Sequence, residues 1–219
     1  DYLQEELAVK GIVSLSDIPV LADKVSLWQG DITRLEVGAI VNAANLQMLG
    51  CFVPCHKCID NAIHSAAGMR LRAECDHIMK RRRALHGGEY EEPTGTATLT
   101  RAYNLPCDYV IHTVGPIVHG GLNDALRQDL RNCYENVLKC CVENQITSVA
   151  FCCISTGEFH FPNDEAAKIA WETVCEFLRT HAECMERVIF NVYQDKDREI
   201  YERLLSKSCD AVTRFGGFA

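Results

Sequence analysis

The 219-residue chain has no apolar run long enough to span a bilayer, and nothing near its start reads as a signal peptide. A membrane-spanning role is set aside, and a cytoplasmic location is expected. Positive charge is in short supply: 22 Lys and Arg face 30 Asp and Glu, a net −8. A dedicated nucleic-acid binder needs clustered cations to neutralise phosphates. The one basic cluster, Lys80 to Arg83, fits a solvated helix end instead. There is no internal repeat and no linker-like stretch. The expectation is one domain over residues 25–205, a leader 1–24 packed on it, a tail 206–219, and a monomer.

Cysteine, by contrast, is plentiful. Thirteen occur, an odd number, scattered through apparent core segments. In a chain this long that fits free and metal-bound thiols in a reducing compartment better than a disulfide framework. No standard finger spacing is present.

Hydrophobic periodicity predicts strands at Val25–Gln29, Ala39–Val41, Thr96–Ala102, Tyr109–Val114, Ser148–Ile154 and Val188–Tyr193. Helical spacing predicts helices at Met69–Leu85, Leu122–Asn144, Asn163–Leu178 and Asp195–Leu205. Tyr2, Leu3, Leu7 and Ala8 suggest a short helical stripe in the leader. Strands alternating with helices indicate an α/β fold.

The chemistry concentrates between Asn42 and Gly68. Cys51, His56 and Cys58 lie close together in a turn-rich segment with Gly50 and Pro54. Two thiolates and an imidazole are three zinc-type ligands. Cys55 would close a fourth position but crowds the tetrahedron beside His56, so three ligands with an open position are favoured, the catalytic pattern. The plain alternative is a few buried thiols and a surface histidine. Asp60 or Asn61 is placed to cap the following helix. Asn42 and Asn45 flank a small-residue turn at a strand end, where open α/β sheets bind ligands. Ser155-Thr156-Gly157 makes a second strand–turn–helix junction, an anion cradle of backbone amides. His64, His77, His86 and His112 read as structural.

Five segments, LWQGDIT (27–33), AIVNAAN (39–45), IDNAIHSAAG (59–68), VIHTVGP (110–116) and ISTGEFHFP (154–162), resemble in order the motifs of macrodomains, the ADP-ribose-binding fold. The resemblance covers about Val25 to Leu205 and implies a three-layer α/β/α sandwich with a mixed central sheet. Hydrolytic macrodomains usually carry a glycine run before their catalytic aspartate. GCFVPCHKCID (50–60) stands there instead, which resembles the zinc-dependent microbial branch.

That resemblance implies zinc on Cys51, His56 and Cys58, with Asn45 and Asp60 catalytic. It implies that Asp31 accepts from the adenine amino group and that the Ile32 backbone donates. Asn42, Ser155, Thr156, Gly157, Glu158 and Phe159 join them as substrate-binding residues, Phe159 against the distal ribose. Tyr193, at a strand end, reads either as a stack on adenine or as core. Glu158 and His160 depart from the family pattern, and a carboxylate beside a pyrophosphate is repulsive.

The implied activity is zinc-dependent removal of mono-ADP-ribose from acidic side chains of a modified protein. The implied partner is a lipoylated carrier protein modified by a linked sirtuin. A reader that binds ADP-ribose without turnover, and a hydrolase of a free acylated ADP-ribose, are the rival readings.

Overall fold

A computed structural model describes residues 2–53 and 56–215, with side chains described through Ser206. The leader forms α1 (Tyr2–Lys10), whose stripe is weak: Tyr2 and Val9 stay in solvent. Two short strands follow that periodicity is too coarse to detect. β1 (Val13–Ser14) pairs in parallel with β3 (Leu35–Glu36), on either side of β2 (Val25–Gln29) in sequence. The leader is also tied down by Arg34, whose Nε donates to the Gly11 carbonyl at 2.7 Å, and by Ile18 in the core.

After β4 (Ala39–Ala44) come α2 (Ile59–Ala67), α3 (Met69–His86), β5 (Thr98–Arg101), β6 (Tyr109–Val114) and α4 (Asp124–Glu143). Then follow β7 (Ser148–Phe151), α5 (Asn163–His181), β8 (Arg187–Val192) and α6 (Asp195–Phe215). The main sheet has the order β2-β8-β7-β4-β6-β5, parallel except for the antiparallel edge strand β5. Helices α2 and α3 pack on each other and on β4 and β5, whereas α4, α5 and α6 pack in series. This is a three-layer α/β/α sandwich with a mixed sheet.

The helices form where the spacing requires. In α4, Leu130, Cys133, Val137, Leu138 and Cys141 are buried along one stripe. The Asn123 side chain accepts from Leu126 N at 2.9 Å and caps its start. α6 runs ten residues beyond the expected end at Leu205.

One feature of the sheet positions the site. β4 and β6 pair over six residues, Ala39–Tyr109 through Ala44–Val114. β4 and β7 pair only at Ala39–Val149 and Ile40–Ala150. Beyond that pairing β4 runs on to Ala44, whereas β7 has one more residue, Phe151, paired to β8 before the loop begins. The two carboxyl ends therefore part, and the loops after β4 and β7 border a crevice at the place where such sheets bind ligands.

Candidate active site

β4 was expected to end at Val41. It continues through Ala44, so Asn42 is a strand residue with its side chain wholly buried. The nitrogen of this buried amide is paired twice, whereas its Oδ1 has no partner among the described residues. Its Nδ2 donates to Asp60 Oδ1 at 2.8 Å and lies 3.1 Å from His112 Nδ1. Parallel register places Asn42 directly beside His112, on one face of the sheet.

The amide nitrogen can only donate, so His112 Nδ1 accepts and the ring proton sits on Nε2. Nε2 then donates to Thr100 Oγ1 at 2.9 Å, whose hydroxyl donates to the Val110 carbonyl at 3.3 Å. Burial, and then His64, push His112 down to about 3, so the ring stays neutral and this order of donors persists. The chain of bonds ends on the carboxylate of Asp60.

Asp60 stands in the first turn of α2 and is 5 % exposed. Burial raises its pKa; the Asn42 bond and the Arg72 charge work in the other direction. His64, one turn on, has Nε2 3.5 Å from Asp60 Oδ1. Burial and Arg72 lower His64 to about 4, so at neutral pH the ring is neutral and this contact is no salt bridge.

Neither Asp60 nor Asn61 caps α2. The cap is Cys58, whose Sγ accepts from Asn61 N at 3.4 Å. One helix start thus carries a thiol at its cap and a carboxyl two residues later.

The loop after β4 is folded by Asn45. Its Oδ1 accepts from Gln47 N at 3.0 Å and Met48 N at 3.1 Å, and its Nδ2 donates to the Gly50 carbonyl at 3.1 Å. One Nδ2 hydrogen remains for another partner. Gly50 has φ +82°, and a Cβ there would lie 2.9 Å from the His64 ring, so only glycine lets the backbone cross that ring. Cys51 follows directly.

Cys51 Sγ lies 3.2 Å from His56 Nδ1. The donor atoms of Cys51, His56 and Cys58 all fall within 4.8 Å of one another. The Val53 N–H, and then His56, lower the Cys51 thiol, whereas burial raises that of Cys58. Asn61 Nδ2 donates to the His56 carbonyl at 3.0 Å, locking this loop onto α2. Two sulfurs and one imidazole nitrogen gathered at this spacing fit zinc. Cys55 lies outside the described residues.

A second group, His64, Cys75 and His112, also brings its donor atoms together. It fits a metal poorly. Both His112 nitrogens are engaged, and burial pushes the Cys75 thiol up to about 12, away from the thiolate a metal needs.

Across the crevice, Ser155 (φ +65°) and His160 (φ +57°) turn the loop after β7 back on itself. His160 N donates to Gly157 O at 3.0 Å, Phe161 N to Ser155 O at 3.0 Å, and Val118 N to Phe159 O at 2.9 Å. Among the described residues, the N–H groups of Thr156, Gly157, Glu158 and Phe159 donate to no other group of the fold. Glu158 Oε1 reaches His56 Nε2 at 3.3 Å.

Asp31 lies at the turn after β2. Its Oδ1 accepts from Thr33 N at 3.0 Å and Thr33 Oγ1 at 2.6 Å, which caps the 3-10 turn Ile32–Arg34. Ile32 is buried, and Tyr193 is exposed.

A profile described as "Macro domain" matches residues 41–170. The chain belongs to the macrodomain family. Over 210 residues it is 47 % identical to a protein-ADP-ribose hydrolase of Treponema medium, covering 94 % of this chain and 78 % of that protein. It is 42 % identical to a protein-ADP-ribose hydrolase of Staphylococcus aureus strain Mu50, over 96 % of this chain and 77 % of the other. A Trypanosoma brucei macrodomain solved in complex with ADP-ribose superposes with a TM-score of 0.74 at 29 % identity, covering 93 % of this chain and 86 % of that one.

Three features of this macrodomain escape a reading of its sequence. Arg72 acts on both Asp60 and His64 from the next helix. His112 and Thr100 are joined to Asp60 only through strand register. Glu158 meets His56 across 102 residues of chain. Only the first has a sequence signal, two arginines (Arg70 and Arg72) near the start of the helix that follows Asp60, and that signal is weak.

Proposed function

We propose that this macrodomain is a zinc-dependent hydrolase that removes mono-ADP-ribose from acidic side chains of modified proteins. The observation that carries the proposal is the gathering of Cys51, His56 and Cys58 at the start of the helix that bears Asp60. The names of the similar proteins from Treponema medium and Staphylococcus aureus support the hydrolase part.

In this reading Asp31 and the Ile32 backbone hold adenine. The unpartnered N–H groups from Thr156 to Phe159 receive the pyrophosphate, as preorganised amides do. Phe159 packs on the distal ribose, and the remaining Nδ2 hydrogen of Asn45 orients it. Asn42 lies too deep to touch ligand and acts through Asp60.

Cys51, His56 and Cys58 would hold the zinc ion, which when bound would supply Lewis acidity. Asp60 takes the proton from the attacking water. Its raised pKa makes it a stronger base than an ordinary carboxylate, and the Asn42 bond aims the oxygen pair. Ester hydrolysis then leaves free ADP-ribose and a restored carboxyl on the protein.

The free thiols among the described residues fit a reducing compartment, the cytoplasm in this proposal. No described helix is long and apolar enough to cross a membrane. The resemblance extends the proposal to a lipoylated carrier protein as the modified partner.

The test is release of ADP-ribose from a glutamate-modified protein, with and without a zinc chelator. Release that chelator abolishes and added zinc restores supports the proposal. Zinc-loaded protein that binds ADP-ribose tightly and releases none makes this macrodomain a reader.

A further inference from the structure

The side chain of Glu158 is the group that the pyrophosphate reading leaves without a role, since its charge opposes that of the ligand. Its carboxylate is turned elsewhere: Oε1 lies 3.3 Å from Nε2 of His56. The other ring nitrogen, Nδ1, faces Cys51 Sγ at 3.2 Å and belongs to the group of metal-type donors.

The two nitrogens thus have separate tasks. A histidine ligand binds metal through a bare nitrogen and keeps its proton on the other. With Nδ1 turned to the thiols, the proton sits on Nε2, where Glu158 accepts it. The other described anchors of His56 are on its backbone: His56 N donates to Val53 O at 3.3 Å, and its carbonyl accepts from Asn61. They leave the ring free to turn. Among the described residues, Glu158 is the only group that holds the far side of that ring.

Glu158 is itself well placed to do this. Its loop is fastened on both sides, by His160 N on Gly157 O and Val118 N on Phe159 O. The carboxylate therefore projects from a fixed backbone, although its side chain is 69 % exposed.

We propose that Glu158 is a positioning residue for the metal centre, setting the tautomer and ring plane of His56 from the opposite side of the crevice. This rests on the zinc reading above. It means that the loop assigned to the pyrophosphate also supports the metal, so one element serves both ends of the scissile region.

Carboxylates that orient a ligating histidine typically contribute 10–100-fold to metal affinity. The experiment compares zinc-loaded wild type, Glu158→Gln and Glu158→Ala in competition with a chromogenic chelator, with melts of the metal-free forms as a folding control. Glu158→Ala should lose zinc roughly 10–100 times more readily. Glu158→Gln should fall between, because its amide oxygen still accepts from Nε2. The metal-free melts should coincide, as the side chain is mostly in solvent.

Zinc held equally by all three proteins overturns the inference and leaves the zinc reading intact. So does a Glu158→Ala protein with unchanged zinc affinity but altered affinity for ADP-ribose, which would assign the carboxylate to the ligand. Wild type that takes up no zinc overturns the zinc reading itself.

Discussion

Asn42 holds Asp60 from beneath: its amide donates to the carboxylate at 2.8 Å, from a strand position with no solvent contact. Its second hydrogen is directed at His112, a ring that burial keeps neutral. The carboxylate is therefore held by a buried series of hydrogen bonds, a preorganisation that suits the base role proposed for Asp60.

Asn42→Ala should show this directly. It leaves Asp60 Oδ1 and His112 Nδ1 without their donor, at a cost of roughly 1–3 kcal/mol in denaturant unfolding. Turnover should fall by roughly 10–100-fold, less than the roughly 10²–10⁴-fold of a positioned acid–base group itself, because Asp60 stays and only its support is lost. Because the Asn42 bond lowers the Asp60 pKa, its loss should move the acidic limb of the kcat/KM profile to higher pH. A limb that stays in place would mean that Asp60 does not govern it.

Asp60→Asn should separate stability from activity. Burial raises the folded carboxyl above its unfolded value of about 3.9. The folded chain then holds a proton that the unfolded chain releases, so this contribution to stability is complete below pH about 3.9 and is lost as pH rises through the folded pKa. The variant removes that loss. It should melt higher than wild type at pH 8, with the gain shrinking toward pH 4, while turnover drops by roughly 10² or more. Cys58, not Asp60, caps α2, so no cap is removed. A lower melting temperature at pH 8 would count against a net cost of the buried charge.

For the metal, purified protein should hold close to one zinc per chain by elemental analysis. Cys58→Ala should lose it, along with the cap on α2. Cys55→Ala should keep it. Equal loss in both would replace the open three-ligand site with a closed structural one.

Asp31 is best tested as Asp31→Asn. Its Oδ1 caps the 3-10 turn through Thr33, and an asparagine oxygen preserves that bond. What changes is the other oxygen, replaced by a donor facing the adenine amino group. A charge-assisted bond is worth roughly 1.5–3 kcal/mol, so ADP-ribose affinity should weaken by roughly 10–100-fold in calorimetry. Unchanged affinity would place adenine elsewhere.

The fold class was legible in the sequence because long elements carry their own signal. The α4 stripe and the apolar run of β6 show their periods without any knowledge of partners. Shorter or paired features did not. β1 and β3 have two residues each, too few for a period to register. The strand through Asn42 looked finished at Val41 because a polar side chain inside a sheet makes sense only once its partners are known.

The candidate site divides in the same way. Sequence alone put Cys51, His56, Cys58 and Asp60 together, since candidate ligands and a carboxyl within ten residues share a neighbourhood. It also marked the loop at Ser155 from its place between strand and helix. Tertiary structure alone decided which group each of them faces. It set His112 beside Asn42 through strand register, Arg72 near Asp60 through helix packing, and Glu158 opposite His56 where β4 and β7 part. Spacing along a chain limits reach, but the direction of a side chain and the charge it meets depend on elements distant in sequence, which only folding brings together.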